Sequence, residues 1–408
     1  MATDSVVFTP ARIGELSLRN RVIRAGCYEG LARRGSITEE LVKHHRCLAA
    51  GGIAMTTLGY CAVSADGRGF PDELWMREEL VPQLERLATA VHAEGAAASI
   101  QLVHCGFFSN PSVIGKRPLG ASRRLCLYRG AVCTEMSPAE IEEKTADFAA
   151  AARLARAAGF DAVEIHAGHG YLLSQFLSPW TNRRGDQYGG NLENRLRFPA
   201  AVIHRVREAV GPDFPVLAKM NQRDGFRGGL EIDEAVQAAR RFETEGASAL
   251  IPSCGFTART PLYMMRGNVP VREMAANQPG LAGRLGTRLF GRFIVQRYPY
   301  RPLFLLEGAR RIRAAVRIPV IYVGGVLSLE HAEAVLREGF QFAQVGRATV
   351  RDPAVVQHLQ SGEARESDCD QCNRCIAAME AGGVECVSAT RGLAPRDHWQ
   401  TADYGASG

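Results

Sequence analysis

Short β-branched runs alternate with longer amphipathic stretches along most of this chain, and that alternation leaves few folds open. The pattern predicts strands over Arg21–Arg24, Ile53–Leu58, Ala97–Leu102, Ala162–His166, Val216–Met220, Ala249–Ile251, Val320–Val323 and Phe342–Val345. Helical periodicity falls between them, over Glu78–Glu94, Ala139–Ala158, Glu193–Val210, Ile232–Glu245 and Leu329–Glu338. Start signals support two of these helices. Ser137-Pro138 precedes Glu140, and Ser328 precedes Glu330 and Glu333. Eight strand–helix units point to an α/β chain folded as a single (β/α)8 TIM barrel. The competing doubly wound sheet usually carries a Gly-x-Gly-x-x-Gly turn, and none is found; nor is a Gly-x-x-x-x-Gly-Lys phosphate loop. We expect the barrel over residues 1–365 and a cysteine-containing extension and tail over 366–408, with the tail after Pro395 small and polar.

Two connections are unusually long. One follows strand three, from about Cys105 to Ser137. The other follows strand six, from about Gly255 to Leu305, with Tyr263, Met264, Met265 and Arg266 near its start. Loops of that length fold, cover a site or are disordered. Both lie at the C-terminal ends of strands, where barrel enzymes build their sites, so a lid and substrate walls are expected.

With 408 residues and 46% hydrophobic content, the chain can bury a large core. No run of 18 apolar residues occurs, so no membrane span and no membrane partner are expected. Met1 to Pro10 contains Asp4 and lacks a basic start, so no signal peptide is read. The 11 cysteines form an odd set, which argues against a disulfide framework and for a reducing cytoplasm. Net charge is +6 with scattered arginines, densest at Arg183-Arg184 and Arg310 to Arg313. These read as solvated faces; nucleic-acid binding needs a concentrated stripe.

The chemistry concentrates after strand four. Its apolar run stops at His166, and His169 and Tyr171 follow within one short loop. Two histidines at this spacing suit a zinc pair, a buried structural pair or a pair gripping a substrate oxygen. Tyr171 suits packing or proton donation. Two glycine turns follow late strands: Val323-Gly324-Gly325-Val326 and Val345-Gly346-Arg347. Barrels often bind phosphate after strands seven and eight, where backbone N–H groups and an arginine can reach it. Near the end, Cys369-x-x-Cys372-x-x-Cys375 and then Cys386 have the spacing of a metal site, open to a four-iron cluster, to zinc or to no metal.

The run from Asp161 to Phe198, with His166-Ala-Gly-His169-Gly-Tyr171, Ser178-Pro179 and Tyr188-Gly-Gly-Asn-Leu-Glu-Asn-Arg195, resembles the Old Yellow Enzyme family. Those proteins are FMN-dependent ene-reductases of the NADH:flavin oxidoreductase type, and the likeness covers nearly the whole chain. It implies that NAD(P)H reduces a bound FMN and that an electron-poor alkene, such as an α,β-unsaturated carbonyl compound, then accepts hydride from flavin N5. His166 and His169 would bind the activating oxygen, and Tyr171 would supply the proton. Ala25, Gly26 and Cys27 would lie against the flavin, and Tyr60 would sit where a small residue's backbone often touches the ring. Gln101 would bind the pyrimidine end, Lys219 would place charge near N1 and O2, and Gly324, Gly325, Gly346 and Arg347 would hold the phosphate. Asn191 and Arg195 would be structural, as a helix cap and a tie to a carboxylate.

The chain also departs from the family. Cys27-Tyr28-Glu29-Gly30 is similar to a subgroup reading Arg-Ser-Ala-Thr-x-Glu-Gly, and Cys27 would either tune the flavin or fill space as a small apolar residue. Lys219 stands where many relatives have arginine. The cysteines resemble a cluster-bearing dienoyl-CoA reductase branch, but with a different spacing. Rival readings are an amine demethylase or dehydrogenase on the same barrel, a flavin-free phosphate-binding barrel, and a non-catalytic metal-binding protein built on the cysteines. Substrate, the choice of NADH or NADPH, and the oligomer, a homo-oligomer included, are left open.

Overall fold

A computed structural model describes residues 4–278, 280–379 and 383–387 of the chain. Eight parallel strands form the barrel: β1 (Val22–Arg24), β2 (Met55–Ala62), β3 (Ala97–Val103), β4 (Ala162–Ala167), β5 (Val216–Asn221), β6 (Ala249–Ser253), β7 (Ile321–Val323) and β8 (Phe342–Val345). Their order runs β6-β5-β4-β3-β2-β1-β8-β7, and a bridge between Leu250 and Val320 closes the ring from β6 to β7. The expected barrel is therefore present. Strand two runs further than expected, to Ala62, through a register shift between Leu58 and Cys61. That shift is the local irregularity that re-aims a side chain, and it carries Tyr60 into the strand.

Helices α1 (Glu39–Ala50), α2 (Val81–His92), α3 (Pro138–Ala157), α4 (Leu192–Val210), α5 (Ile232–Thr244), α6 (Leu306–Arg313), α7 (Leu329–Arg337) and α8 (Val355–Ser361) flank the strands. Their starts follow the sequence signals. Ser137 and Glu140 form a reciprocal capping box on α3, Asn191 caps α4, and Ser328 caps α7. Arg195 pairs with Glu234, which ties α4 to α5.

Strand residues alternate between the helices and the barrel interior. On β4, Val163 and Ile165 join the core beneath α3 and α4, while Ala162, Glu164 and His166 stack upward inside. Ile23, Met55, Ala97, Ala162, Leu217 and Phe342 make the lowest interior cluster. An antiparallel hairpin, Ala11–Ile13 with Leu16–Leu18, buries Ile13 and Leu18 against that cluster and plugs the floor. Both long connections are folded. Residues 104–137 hold two small strand pairs, Leu119–Gly120 with Thr134–Glu135 and Leu125–Cys126 with Ala131–Val132. Residues 254–305 hold two helices, Val271–Ala276 and Gly280–Ile294. The segment after α8 is described to residue 387; the tail expected after Pro395 lies outside the described residues.

Candidate active site

The middle layer of the barrel is polar, where barrels usually stack branched aliphatic residues. Register places Gln101 beside Glu164 and His166 beside Lys219. Buried Glu164 accepts a hydrogen bond from Gln101, one from Lys219 Nζ at 2.9 Å and one from Gln344 Nε2 at 3.3 Å. An ion pair this deep adds little to stability, because desolvation offsets the attraction. Its three partners nonetheless fix one another's positions. The side-chain oxygens of Gln101 and Gln344 are buried without a hydrogen-bond partner among the described residues. An unmatched buried acceptor costs roughly 1–3 kcal/mol, so the layer is built to receive a donor from something bound above it.

Gly26 lies over this layer. A Cβ there would stand 3.0 Å from Gln101 Nε2 and 3.1 Å from Thr57 Cγ2, so only glycine leaves the approach open. Ala25 is pinned by its N–H to the Val345 carbonyl at 2.8 Å. Cys27 receives a hydrogen bond from Arg24 Nη2 at 3.1 Å, and Arg24 also donates to Glu29 Oε1 at 2.5 Å. Desolvation pushes the Cys27 thiol pKa up, and the Arg24 guanidinium opposes it.

The top layer holds the three predicted catalytic side chains together. His166 and His169 have ring centroids 4.8 Å apart, and His166 and Tyr171 are equally close. The Gly168 N–H donates to His166 Nδ1 at 3.3 Å. In a neutral ring that leaves the proton on Nε2, free to donate. His169 has φ +58°, uncommon for a residue with a side chain. The Asn221 side chain accepts from its N–H at 3.0 Å, and Ser253 Oγ lies 2.7 Å from its Nε2. Burial lowers both imidazoles. His166 is held well below the ordinary histidine value by desolvation, then His169, then Lys219. His169 falls to about 3 through desolvation and then Lys219. Both are uncharged at neutral pH.

Tyr171 sits in an aromatic box. Its hydroxyl lies 2.6 Å from that of Tyr60. Phe108, from the connection after β3, stands edge-on to Tyr171, and Tyr28 stacks on Phe70 at 4.3 Å. Desolvation raises both the Tyr171 and Tyr60 phenols, so both keep their protons. Beneath the box lies Glu73, fully buried, accepting from the N–H groups of Gly69 and Phe70 at 2.6 and 3.1 Å. Burial lifts its carboxyl to about 8. The other long connection reaches the same place: Thr257 donates to the His169 carbonyl at 2.8 Å, and Phe256 packs against Gly170.

The predicted phosphate residues are placed less uniformly. Gly346 opens on free space, since a Cβ there would meet nothing within 4 Å. Gly324 and Gly325, at φ +122° and +75°, have their carbonyls bound by the hydroxyls of Tyr322 and Tyr300 at 2.8 and 3.0 Å. Arg347 turns to the extension, donating to the Arg266 carbonyl at 2.8 Å and to Asn373. It shares with Cys369, Cys372, Cys375 and Cys386 the walls of a cavity of about 20 Å³. Among the described residues, no three His, Cys, Asp or Glu side chains converge as metal ligands. The four thiols line one cavity without converging in a ligand geometry.

Glu164, Asn221, Ser253 and Glu73 were not singled out in the sequence. A carboxylate inside the apolar run Ala162–Ile165, two residues before His166, was the available signal for Glu164. Asn221 and Ser253 end β5 and β6, as His166 nearly ends β4. Glu73 belongs to no motif.

A parallel barrel with a polar interior layer, a glycine approach to it and a roof of two neutral imidazoles and a phenol fits an oxidoreductase that holds a flavin. The chain belongs to the NADH:flavin oxidoreductase / NADH oxidase family, whose pattern matches residues 6–255. It is 40% identical over 382 residues to 4,4'-dithiodibutanoate disulfide reductase of Rhodococcus erythropolis, covering 93% of this chain and 94% of that one. It is 32% identical to an NADH oxidase of Thermoanaerobacter brockii over 90% of this chain, which spans 52% of that protein. The fold matches an Old Yellow Enzyme homologue from Zymomonas mobilis with a TM-score of 0.72 at 22% identity, covering 98% and 99% of the two chains. The protein is accordingly an FMN-dependent NAD(P)H oxidoreductase.

Proposed function

We propose that this enzyme reduces the activated C=C bond of α,β-unsaturated carbonyl compounds or related electron-poor alkenes. The observation that carries the reading is the convergence of His166, His169 and Tyr171 over the polar layer. When bound, FMN supplies the two-electron hydride chemistry that side chains lack. Gln101 and Lys219 are suited to its pyrimidine edge, Ala25, Gly26, Cys27 and the Tyr60 backbone to its ring, and Gly324, Gly325, Gly346 and Arg347 to its phosphate. For Arg347 this means exchanging its present partners for the anion.

The two imidazoles would donate hydrogen bonds to the acceptor's activating oxygen. Negative charge builds there as the β-carbon is reduced, and fixed donors in a dry site stabilise it without reorganising. Tyr171 holds a proton at its hydroxyl for the α-carbon, and Tyr60 orients that hydroxyl. The aromatic box excludes water and accepts a flat, conjugated molecule.

The 40% identical relative gives a second reading, reduction of an organic disulfide at the same site. Anaerobic turnover with NAD(P)H separates the two. Cyclohexenone converted to cyclohexanone supports the first. Thiol release from 4,4'-dithiodibutanoate with no alkene reduction replaces it with the second. Iron and zinc content of anaerobically purified protein tests whether Cys369, Cys372, Cys375 and Cys386 hold a cluster or zinc.

A further inference from the structure

The helix Gly280–Ile294 is inverted relative to an ordinary surface helix, which turns its apolar face to the core. Its small residues face the body. Gly291 is buried, and a Cβ there would stand 3.0 Å from Val271. Thr287 and Gly283, one and two turns earlier, are partly covered. The large apolar residues face solvent: Leu281 is 86% exposed, and Leu285, Leu289 and Phe290 are each more than half exposed. Arg284, Arg288 and Arg292 run beside the leucines, one residue before or three after each, and all are exposed. From Met274 to Leu306 the chain carries five arginines and no acidic residue.

Contiguous exposed apolar surface marks an interaction site, and the charge pattern selects among occupants. A second copy of this chain would set the helix's three arginines against three in a two-fold contact. A bilayer with anionic headgroups answers both features. Leucine and phenylalanine side chains would sit at the acyl boundary, and arginines at the phosphate level, as in helices that lie in the membrane plane. We infer that the helix Gly280–Ile294 docks this enzyme onto an anionic lipid surface. No span is involved; among the described residues no helix is long and apolar enough to cross a membrane. The helix belongs to the connection that also supplies Phe256 and Thr257 to the site.

The test is flotation of full-length, FMN-loaded enzyme with vesicles of phosphatidylcholine alone, or of three parts phosphatidylcholine to one part phosphatidylglycerol. The enzyme should float with the anionic vesicles at low salt and be released at high salt. Arg284→Gln with Arg288→Gln should weaken binding about thirtyfold, from about 1 kcal/mol per basic residue at the surface. Leu285→Gln with Leu289→Gln should also release it. Both double variants should keep the parent's FMN content and melting temperature. Failure of the parent to float, equal binding to both vesicle types, or binding indifferent to the leucine pair would overturn the inference. So would a dimer in sedimentation velocity that the leucine variant dissociates, because the face would then belong to a second copy.

Discussion

The hydroxyls of Tyr60 and Tyr171 share one hydrogen bond, 2.6 Å between oxygens, although the residues are 111 positions apart. Since both phenols are protonated, one donates to the other, and the direction of that bond decides whether Tyr171 has its proton pointing into the site. On the proposed mechanism Tyr60 would therefore position Tyr171 by its side chain, beyond the backbone contact that its place in the sequence suggests.

Tyr171→Phe should slow the acceptor half-reaction about 10²–10⁴-fold while leaving flavin reduction by NAD(P)H within a few-fold of the parent. Tyr60→Phe should show the same selectivity at a smaller size, with a changed pH profile for acceptor reduction. Stopped-flow traces at the flavin absorbance measure both half-reactions. Equal slowing of the two would remove Tyr171 from the donor role.

Lys219→Met leaves Glu164 as a buried charge without its cation. Breaking such a pair costs about 3–5 kcal/mol. The single variant should melt far lower and lose FMN during purification. Adding Glu164→Gln should recover much of the melting temperature without restoring FMN retention. If the two changes were merely additive in denaturant titrations, the coupling between the residues would be refuted.

Acid should destabilise the protein through His166 and His169, among its other buried histidines. A group whose pKa drops on folding contributes stability above its unfolded value, here near 6.5. That stability is lost as pH falls toward about 3, by up to about 1.4 kcal/mol per pH unit for each histidine. Glu73 has the opposite sign. Its carboxyl is raised from 4.5 to about 8, so its contribution is complete below 4.5 and is lost as pH rises through 8. Glu73→Gln should flatten the decline in melting temperature between those values, and His169→Gln the decline below 6.5. Thermal melts across the range check both slopes.

Gly170→Ala should be disproportionately harmful for one methyl group. Gly170 has φ +78°, and a Cβ would lie 2.5 Å from the Phe256 ring. The backbone conformation costs about 1–2 kcal/mol and the overpacking a further 1–3. The variant should melt lower, and its acceptor reduction should fall more than its flavin reduction, because the loop between His169 and Tyr171 would move. A parent-like melt would show that Phe256 yields freely.

The barrel was legible because its pattern is repeated, and repetition averages out local ambiguity. The cluster of His166, His169 and Tyr171 was legible because the three fall within six consecutive residues behind one strand. What stayed hidden was made by register. Glu164 meets Gln101 and Lys219 across neighbouring strands, and Tyr60 reaches Tyr171 only because β2 shifts register after Leu58. Arg347 was readable as a phosphate ligand from its place after β8. Its present bonds to Asn373 and the Arg266 carbonyl depend on how the extension folds back, which strand periodicity does not encode.

The hairpin beneath the barrel has a kinetic corollary. With Ile13 and Leu18 stopping the lower end, reductant and acceptor are expected to share the upper, C-terminal end of the barrel. Each must leave before the other arrives, so initial-rate plots should give parallel lines, and an excess of NAD(P)H should inhibit by crowding out the acceptor.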